Sequence, residues 1–404
     1  MRGGLDIAIA GAGVAGLAAA IMLTRAGHRV TVYERFAQSR PIGSGLMIQP
    51  VGLAALERLG LRGEIEARGA RIAGIEGYTA RGTTVFDIGY GELDAGLYAV
   101  AVHRAALQGV LWRAFEASGA AFVAARPAVT IGTMPDGRAQ FAFEDGERSP
   151  PADLVIDASG ARSALRGAVT ERAPRAFTYG AVWATVPDPG VAPEKLAQRY
   201  IGAHVMLGVL PLGAIDPGGP AVAALFWSLK TAAHEAWRGR FEGWRGEAAA
   251  LWPALRPCLE SLNGPDDFAL AHYHHITIPT PWRGPVVLIG DSAHCTSPQL
   301  GQGANHGLLD AVVLADAIAA AGNVPGALAL YANARRRQVW FYQRASAVMT
   351  PLFQSDSRVF PALRDLTFHR MKIVPYLKRE MVRTLAGLKT GLFTSASPER
   401  IARL

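Results

Sequence analysis

Two glycine-rich segments, one near each end of the chain, carry residues suited to binding a phosphorylated cofactor. The later one spans residues 285–318. It begins with the apolar run PVVLIG, reaches Asp291, continues through a loop rich in Gly, Pro, Ser and Asn, and ends in an apolar helical pattern. This order predicts a buried strand, a loop and a helix. A carboxylate at the C-terminal end of such a strand lies where open α/β sheets bind their ligands.

The earlier segment has the spacing of a dinucleotide-binding unit. A short apolar run at residues 6–10 predicts a strand, and the motif GAGVAG follows it directly. Gly11 permits the tight turn, Gly13 lets the backbone approach a pyrophosphate, and Gly16 allows close packing of helix and strand. Glu34 ends the next predicted strand, about 20 residues further on, where it can accept a hydrogen bond from a ribose hydroxyl. The segment therefore predicts an ADP-containing cofactor at a helix N-terminus. A glycine-rich turn in an ordinary βαβ unit is the alternative.

Together the two segments resemble the class A flavoprotein monooxygenases, the family of para-hydroxybenzoate hydroxylase and related aromatic hydroxylases. The second FAD motif of that family matches GDSAH at 290–294, Pro298, GQG at 301–303 and Asn305. The resemblance covers about residues 1–335. It implies an α/β protein: a Rossmann-type FAD-binding domain with an inserted, mostly antiparallel β-sheet substrate domain and a helical C-terminal segment.

A third motif, DLVIDASGARSALR at residues 153–166, lies between the other two. Gly160, Ser163 and Arg166 fit the frame of the family. Ser159 stands where the family usually has Asp, and an acid appears two residues earlier, at Asp157. This departure leaves open how NAD(P)H is used.

The resemblance implies FAD as the bound cofactor and NADPH or NADH as a transient co-substrate. With O₂ it implies a flavin C4a-hydroperoxide that hydroxylates an aromatic or polyketide/quinolone-like small molecule. Two alternatives remain: a flavin-dependent reductase of a lipophilic, isoprenoid-like substrate, and a non-catalytic flavin-binding redox sensor. No catalytic acid or base is assigned. The cofactor-binding residues that we expect are Gly11, Gly13, Ala15, Gly16, Glu34, Arg35, Arg104, Asp291, Pro298, Gly301, Gly303 and Asn305.

The domains that we expect are interleaved along the chain. The FAD-binding domain is assigned to residues 1–74, 101–176 and 279–330, and the substrate domain to residues 75–100 and 177–278. Strands are predicted at 182–186, 204–210, 221–229 and 272–278, and residues 331–404 form the helical C-terminal segment. Only about half of the aromatic and polar residues on these strands can face the flavin. The candidates for the substrate pocket are Trp183, Tyr200, His204, Phe226 and Tyr273.

Composition narrows the remaining classes of function. From residue 335 to the end, 14 Lys and Arg face 4 Asp and Glu, whereas the rest of the chain has 27 basic and 29 acidic residues. The positive charge is thus local, and we expect no nucleic-acid partner. A solvated basic helix face is favoured over contact with a membrane surface.

The two cysteines, Cys258 and Cys295, indicate a reducing compartment, and the chain is assigned to the cytoplasm. The pair His272 and His274 lacks the further ligands of a metal site, so no metal is expected. The oligomeric state is not assigned.

Overall fold

The computed structural model describes residues 4–37, 44–371 and 374–404, and of residues 369–371 it describes the backbone alone. The strands are β1 (Asp6–Ala10), β2 (Arg29–Tyr33), β3 (Gly45–Ile48), β4 (Ala70–Ile72), β5 (Gly74–Thr79), β6 (Thr84–Gly89), β7 (Ala99–His103), β8 (Ala121–Val123), β9 (Ala128–Thr133), β10 (Ala139–Phe143), β11 (Leu154–Asp157), β12 (Arg175–Ala176), β13 (Tyr179–Pro187), β14 (Lys195–Ile201), β15 (Val205–Ala214), β16 (Ala221–Lys230), β17 (Ala269–Ala271), β18 (His274–His275), β19 (Trp282–Arg283) and β20 (Val286–Leu288).

Turn residues and glycines of the sequence mark the ends of several helices. A left-handed glycine ends both the second and the fourth of them, at Gly60 and Gly119. They are α1 (Val14–Arg25), α2 (Pro50–Leu59), α3 (Arg62–Glu66), α4 (Arg104–Ser118), α5 (His234–Gly239), α6 (Phe241–Leu251), α7 (Arg256–Glu260), α8 (Asp291–His294), α9 (Gly303–Ala320), α10 (Val324–Phe353), α11 (Val359–Met371), α12 (Pro375–Leu385) and α13 (Pro398–Ile401).

A six-stranded sheet in the order β19-β20-β11-β1-β2-β8 forms the dinucleotide-binding half. All its neighbouring strands are parallel except β19, which pairs antiparallel with β20. Helices α1 and α9 pack against each other beside this sheet, with their apolar residues in the largest core of the protein. The Rossmann-type domain that the motifs predict is therefore confirmed, and the C-terminal ends of β1, β11 and β20 lie side by side.

A seven-stranded sheet in the order β17-β13-β16-β15-β14-β5-β6 forms the second half. Its pairs are antiparallel except for β14 with β5, so the mostly antiparallel substrate sheet is confirmed. The prediction of one strand over residues 272–278 is wrong. Only His274 and His275 pair there, with the two-residue strand β12, because the chain leaves the seven-stranded sheet after Ala271.

Alternate residues of the seven-stranded sheet serve two different cores. One face packs against α5, α6 and α7 and contains Leu207, Leu225 and Trp227. The other face, with Met206 and Phe226, joins the core of the dinucleotide-binding half. The second face is therefore the one that packs against the dinucleotide-binding half.

Candidate active site

The first and second glycine motifs meet around one small side chain, Ala15. A Cβ added to Gly290 would lie 3.0 Å from the Cβ of Ala15, and one added to Gly307 would lie 3.2 Å from it. Gly11 has φ +102°, and a Cβ on it would lie 2.6 Å from the carbonyl oxygen of Ala158 in the third motif. Three separate parts of the sequence thus approach so closely that only small residues fit between them, as the spacing of these residues predicts.

The turn after β1 is open on one side. No described atom lies within 4 Å of a Cβ built on Gly13, so the backbone there is accessible to a bulky anion. Glu34 lies beside this turn and is 8% exposed. Its Oε2 accepts from the backbone N–H of Ala12 at 2.8 Å, and its Oε1 accepts from that of Phe36 at 3.1 Å. The free lone pairs of the carboxylate can still accept from ribose hydroxyls.

Asp291 is exposed and accepts no hydrogen bond from a described residue. Its Oδ1 lies 3.8 Å from the position of a Cβ on Gly303, the first residue of α9. The first N–H groups of α9 have no partner within the helix, and they carry the positive end of its dipole. Pro298 begins the single turn before α9, and Gly301 ends that turn in the left-handed region with φ +60°. The arrangement can bind hydroxyl groups at Asp291 and negative charge at the helix N-terminus.

Asn305 connects α9 to β3 through its buried side chain. Its Oδ1 accepts from the backbone N–H of Gln49 at 2.9 Å. Its Nδ2 donates to the carbonyl oxygens of Met47 at 3.1 Å and Gly301 at 2.8 Å. The amide is therefore fully engaged within the protein, which leaves only the backbone N–H of Asn305 for a cofactor.

A buried ion cluster lies beneath the second motif. Asp310, on α9, accepts from the backbone N–H of Gly290 at 2.7 Å, lies 2.6 Å from Nε2 of His294 and pairs with Nε of Arg335 at 2.8 Å. Burial alone would raise the pKa of Asp310, but His294 and Arg335 hold it well below its usual range. The ionised carboxylate thereby fixes the backbone of Gly290, next to Asp291.

On the side of the seven-stranded sheet that packs against the dinucleotide-binding half, three of the five predicted pocket residues come together. The rings of Trp183 and Phe226 stack with centroids 4.4 Å apart, and Trp183 Nε1 donates to the hydroxyl oxygen of Tyr273 at 3.1 Å. Burial raises the pKa of Tyr273 to about 12, although the bond from Trp183 and the charge of Arg104 act against this rise. Arg104 itself is exposed at the start of α4. The hydroxyl proton of Tyr273 is donated to no described residue.

The other two predicted pocket residues lie elsewhere. Tyr200 is 1% exposed and packs beneath Arg364, whose guanidinium carbon is 4.6 Å from its ring centroid. His204 is exposed in the turn between β14 and β15. Neither side chain contacts the stacked pair of Trp183 and Phe226.

Comparison with known proteins agrees with this geometry. The model of a family described as "FAD binding domain" matches residues 4–346, most of the chain. A 3-amino-4-hydroxybenzoate 2-monooxygenase of Streptomyces platensis is 32% identical over 358 residues, which cover 84% of this chain and 86% of that protein. The chain belongs to the FAD-dependent monooxygenases.

Further relatives extend the comparison. Aurachin C monooxygenase/isomerase of Stigmatella aurantiaca is 29% identical over 362 residues, 83% of this monooxygenase and 86% of that protein. The solved structure of HpxO from Klebsiella pneumoniae with FAD and uric acid has a TM-score of 0.80 at 20% identity. It covers 94% of this chain and 97% of that one, which shows the shared fold. The cofactor of the monooxygenase is FAD, and the reductase and redox-sensor alternatives are not favoured.

The residues present fit FAD. The open turn at Gly13 and the carboxylate of Glu34 suit the pyrophosphate and the adenosine ribose. The carboxylate of Asp291, which accepts no hydrogen bond from a described residue, suits the ribityl hydroxyls of FAD. The N-terminus of α9 suits the negative charge of its flavin ring. Arg35 is exposed, with its guanidinium carbon 4.5 Å above the ring of Phe36.

The third motif has a structural role in the monooxygenase. Asp157 is fully buried, and it accepts from Ser159 Oγ at 2.6 Å and from Ser163 Oγ at 2.5 Å. Burial raises the pKa of Asp157, while both serines act to lower it. Arg166 Nε donates to the carbonyl oxygen of Ser292 at 2.8 Å. The serine at 159 and the acid at 157 are therefore partners, and they support the loop that carries Asp291.

Sequence reasoning missed two groups in the monooxygenase. The first is Asp310 with its partners, although an acid on the apolar side of a helix is a recognisable signal. The second is a polar cluster between the two halves: Ser44 Oγ lies 2.9 Å from Thr185 Oγ1, which lies 3.1 Å from His103 Nε2. No local pattern predicts this cluster, because its members come from three distant segments.

Proposed function

We propose that the monooxygenase hydroxylates an electron-rich, planar aromatic or heteroaromatic ring that carries an oxygen acceptor, as a phenol or a 4-quinolone does. The observation that supports this most is the hydroxyl of Tyr273, whose proton has no described partner beside the stacked rings of Trp183 and Phe226. A flat ring can extend the stack, and its oxygen can accept from Tyr273. The names of the relatives agree, since they include aminohydroxybenzoate and heptylquinolone enzymes.

In this proposal the chain positions the cofactor and orients the substrate. FAD supplies the redox chemistry, accepting hydride from NAD(P)H and activating O₂. Asp291 accepts from ribityl hydroxyls, the N-terminus of α9 stabilises negative charge on the ring, and Pro298 and Gly301 shape the wall of the site. Arg104 pairs with phosphate. The remaining assigned residues, Gly11, Gly13, Ala15, Gly16, Glu34, Arg35, Gly303 and Asn305, bind or shape the same cofactor.

We propose that Tyr273 stays protonated and donates to the substrate oxygen throughout the neutral range. Its pKa is raised to about 12, so it does not act as the base that activates a phenol. A phenolic substrate would then enter as its own anion or lose its proton to another group. The acceptor oxygen of the substrate, held by Tyr273, fixes which ring carbon approaches the cofactor.

The test is reduction of the bound FAD by NADPH and by NADH without oxygen, followed by absorbance, with and without candidate substrates. Suitable candidates are 3-amino-4-hydroxybenzoate, urate and a 2-alkyl-4-quinolone. We expect one of them to accelerate reduction and, once air is admitted, to take up one oxygen atom from ¹⁸O₂, detected by mass spectrometry. Peroxide release without oxygen incorporation for every oxygen-bearing aromatic compound tested would contradict the proposal.

The domain division and the location of the enzyme remain proposals as well. The core around α5–α7 is built from residues within 177–278, and β5 pairs with β14 of the same sheet. These observations support a substrate domain at 75–100 and 177–278 beside an FAD-binding domain at 1–74, 101–176 and 279–330, with the largest core shared between them. The described residues contain no helix long and apolar enough to cross a membrane. Both cysteines are buried and free, which supports a reducing compartment such as the cytoplasm.

A further inference from the structure

Within residues 359–368 of helix α11, an arginine is buried while several apolar residues are exposed. Arg364 is 1% exposed, donates to the carbonyl oxygen of Gly202 at 3.0 Å and pairs with Asp365 at 2.8 Å. Phe368 packs near Phe86, with ring centroids 6.1 Å apart. These contacts fix which side of the helix faces the protein.

The opposite side of α11 forms an apolar stripe. Among residues 359–368, the exposed positions are Val359, Phe360, Ala362, Leu363, Leu366 and Thr367. Val359 is 71%, Leu363 50% and Leu366 58% exposed. Their spacing of three and four residues places them on one helix face, and none of the six carries a charge. A solvated helix normally shows the reverse pattern.

Exposed apolar residues also lie at the start of α12, and exposed arginines lie near both groups in the sequence. Val374, Pro375 and Tyr376 are exposed there, and Arg379 is exposed one turn after Tyr376. Arg358 is exposed immediately before α11. Neither of these arginines forms an ion pair with a described residue. We call the exposed residues Val359, Phe360, Ala362, Leu363, Leu366, Val374, Pro375 and Tyr376, with Arg358 and Arg379, the α11–α12 face.

The acidic groups of this region are neutralised within the protein. Asp356 pairs with Lys230, Asp365 with Arg364, and Glu380 with Lys389. Arg358 and Arg379 are exposed and form no ion pair with a described residue, so they supply uncompensated positive charge to this region.

We propose that the α11–α12 face docks the enzyme onto an anionic lipid surface. The apolar stripe would enter the boundary between headgroups and acyl chains, and Arg358 and Arg379 would lie at the level of the lipid phosphates. A second copy of this chain fits the face less well. A symmetric dimer would place the same exposed arginines against each other, where like charges repel.

The experiment is co-sedimentation of the FAD-loaded, full-length enzyme with vesicles of equal parts phosphatidylglycerol and phosphatidylcholine, and with vesicles of phosphatidylcholine alone. We expect binding to the anionic vesicles that weakens with added salt, because exposed charges are screened. The double variant Leu363→Ser/Leu366→Ser should lower the partition coefficient about tenfold or more. Each of Arg358→Ser and Arg379→Ser should lower it about fivefold.

The matched control is Leu330→Ser, which removes a leucine on α10 that is 41% exposed and lies outside the α11–α12 face. It should bind vesicles as the unaltered enzyme does. All these side chains are exposed, so FAD content and thermal stability should not change in any variant. FAD content and thermal stability thus show, independently of vesicle binding, that each variant is folded.

Three outcomes would overturn the proposal. Equal binding to both vesicle types would remove the role of negative charge. Equal loss in Leu330→Ser would remove the role of this face. Absence of vesicle binding, together with a dimer in sedimentation velocity that Leu363→Ser/Leu366→Ser dissociates, would assign the face to self-association.

Discussion

The two faces of the seven-stranded sheet are built from the same strands, yet they differ in chemistry. On the face covered by α5–α7, the rings of Trp227, Trp237 and Trp244 pack edge to face, with the centroids of Trp227 and Trp244 5.8 Å apart. On the opposite face, Trp183 is only half-buried and donates to Tyr273, whose hydroxyl proton is donated to no described residue. The first face is a purely structural core, and the second is the one to which we assign the proposed substrate contacts.

The sharpest way to test this contrast uses neighbouring residues of β16. Phe226 and Trp227 are both nearly fully buried, at 2% and 4% exposure, but they point to opposite faces. We expect Phe226→Ala and Trp227→Ala each to lower the free energy of unfolding by about 3–5 kcal/mol, measured by urea denaturation. Only Phe226→Ala should also raise the KM for substrate, because it removes the stacking partner of Trp183. A similar rise in KM for Trp227→Ala would show that the two faces do not differ in their effect on substrate binding.

The next largest effect should come from Asp291→Ala. The lost carboxylate would weaken FAD binding by about 1.5–3 kcal/mol, or roughly 10- to 100-fold in Kd, measured by fluorescence titration of the apoprotein. The stability of the apoprotein should not change, because the exposed side chain bonds to no described residue. An unchanged Kd for FAD would contradict the assigned role.

A smaller effect is expected from Tyr273→Phe. Loss of the hydroxyl donor should raise the KM for substrate by about 0.5–1.5 kcal/mol, or roughly 2- to 10-fold, in steady-state assays with the substrate that the panel identifies. Tyr179→Phe is the control, because its hydroxyl bonds to Asp356 at 2.8 Å far from the stacked rings. If both variants behave alike, Tyr273 has no special role.

The smallest effect is a predicted lack of pH dependence. The pKa of Tyr273 in the folded protein, raised by burial to about 12, exceeds the value of about 10 for a free tyrosine. Because the folded protein favours the neutral hydroxyl, Tyr273 contributes to the free energy of unfolding. This contribution is fully present below about pH 10 and is lost as the pH rises through about 12. KM should stay constant between about pH 7 and pH 10 for a substrate that does not itself titrate there. A rise centred near pH 10 would show that the tyrosine is exposed to water.

The glycine motifs could be predicted from sequence because their conformations admit few other residues. Gly11 and Gly290 both have positive φ and leave little or no room for a Cβ, beside the backbone of Ala158 and the Cβ of Ala15 respectively, so residue type and spacing alone located the ends of β1 and β20. The residue at which α9 begins, Gly303, depends on the preceding turn at Pro298, which helix propensity does not determine.

The packing of distant segments could not be predicted in the same way. Alternation indicated that half of the aromatic strand residues face the flavin, but the register that selects Phe226 over Trp227 is a property of the whole sheet. Tyr200 lies beneath Arg364, a contact between residues 164 positions apart in the chain. The sequence also gives no sign that Arg364 is buried, because a basic residue is normally expected at the surface. Its burial is possible because Asp365 and backbone carbonyl oxygens compensate its charge.

The pairing of Asp310 with Arg335 has a consequence for fragments of this protein. The arginine lies on α10, beyond residue 330, where the FAD-binding domain was expected to end. A fragment cut at that point would retain the buried carboxylate of Asp310 without Arg335, leaving it only His294 and the backbone N–H of Gly290, and breaking a buried pair costs about 3–5 kcal/mol. Limited proteolysis or truncation in the linker before α10 should therefore release an aggregation-prone piece, and the smallest autonomous folding unit must extend past Arg335.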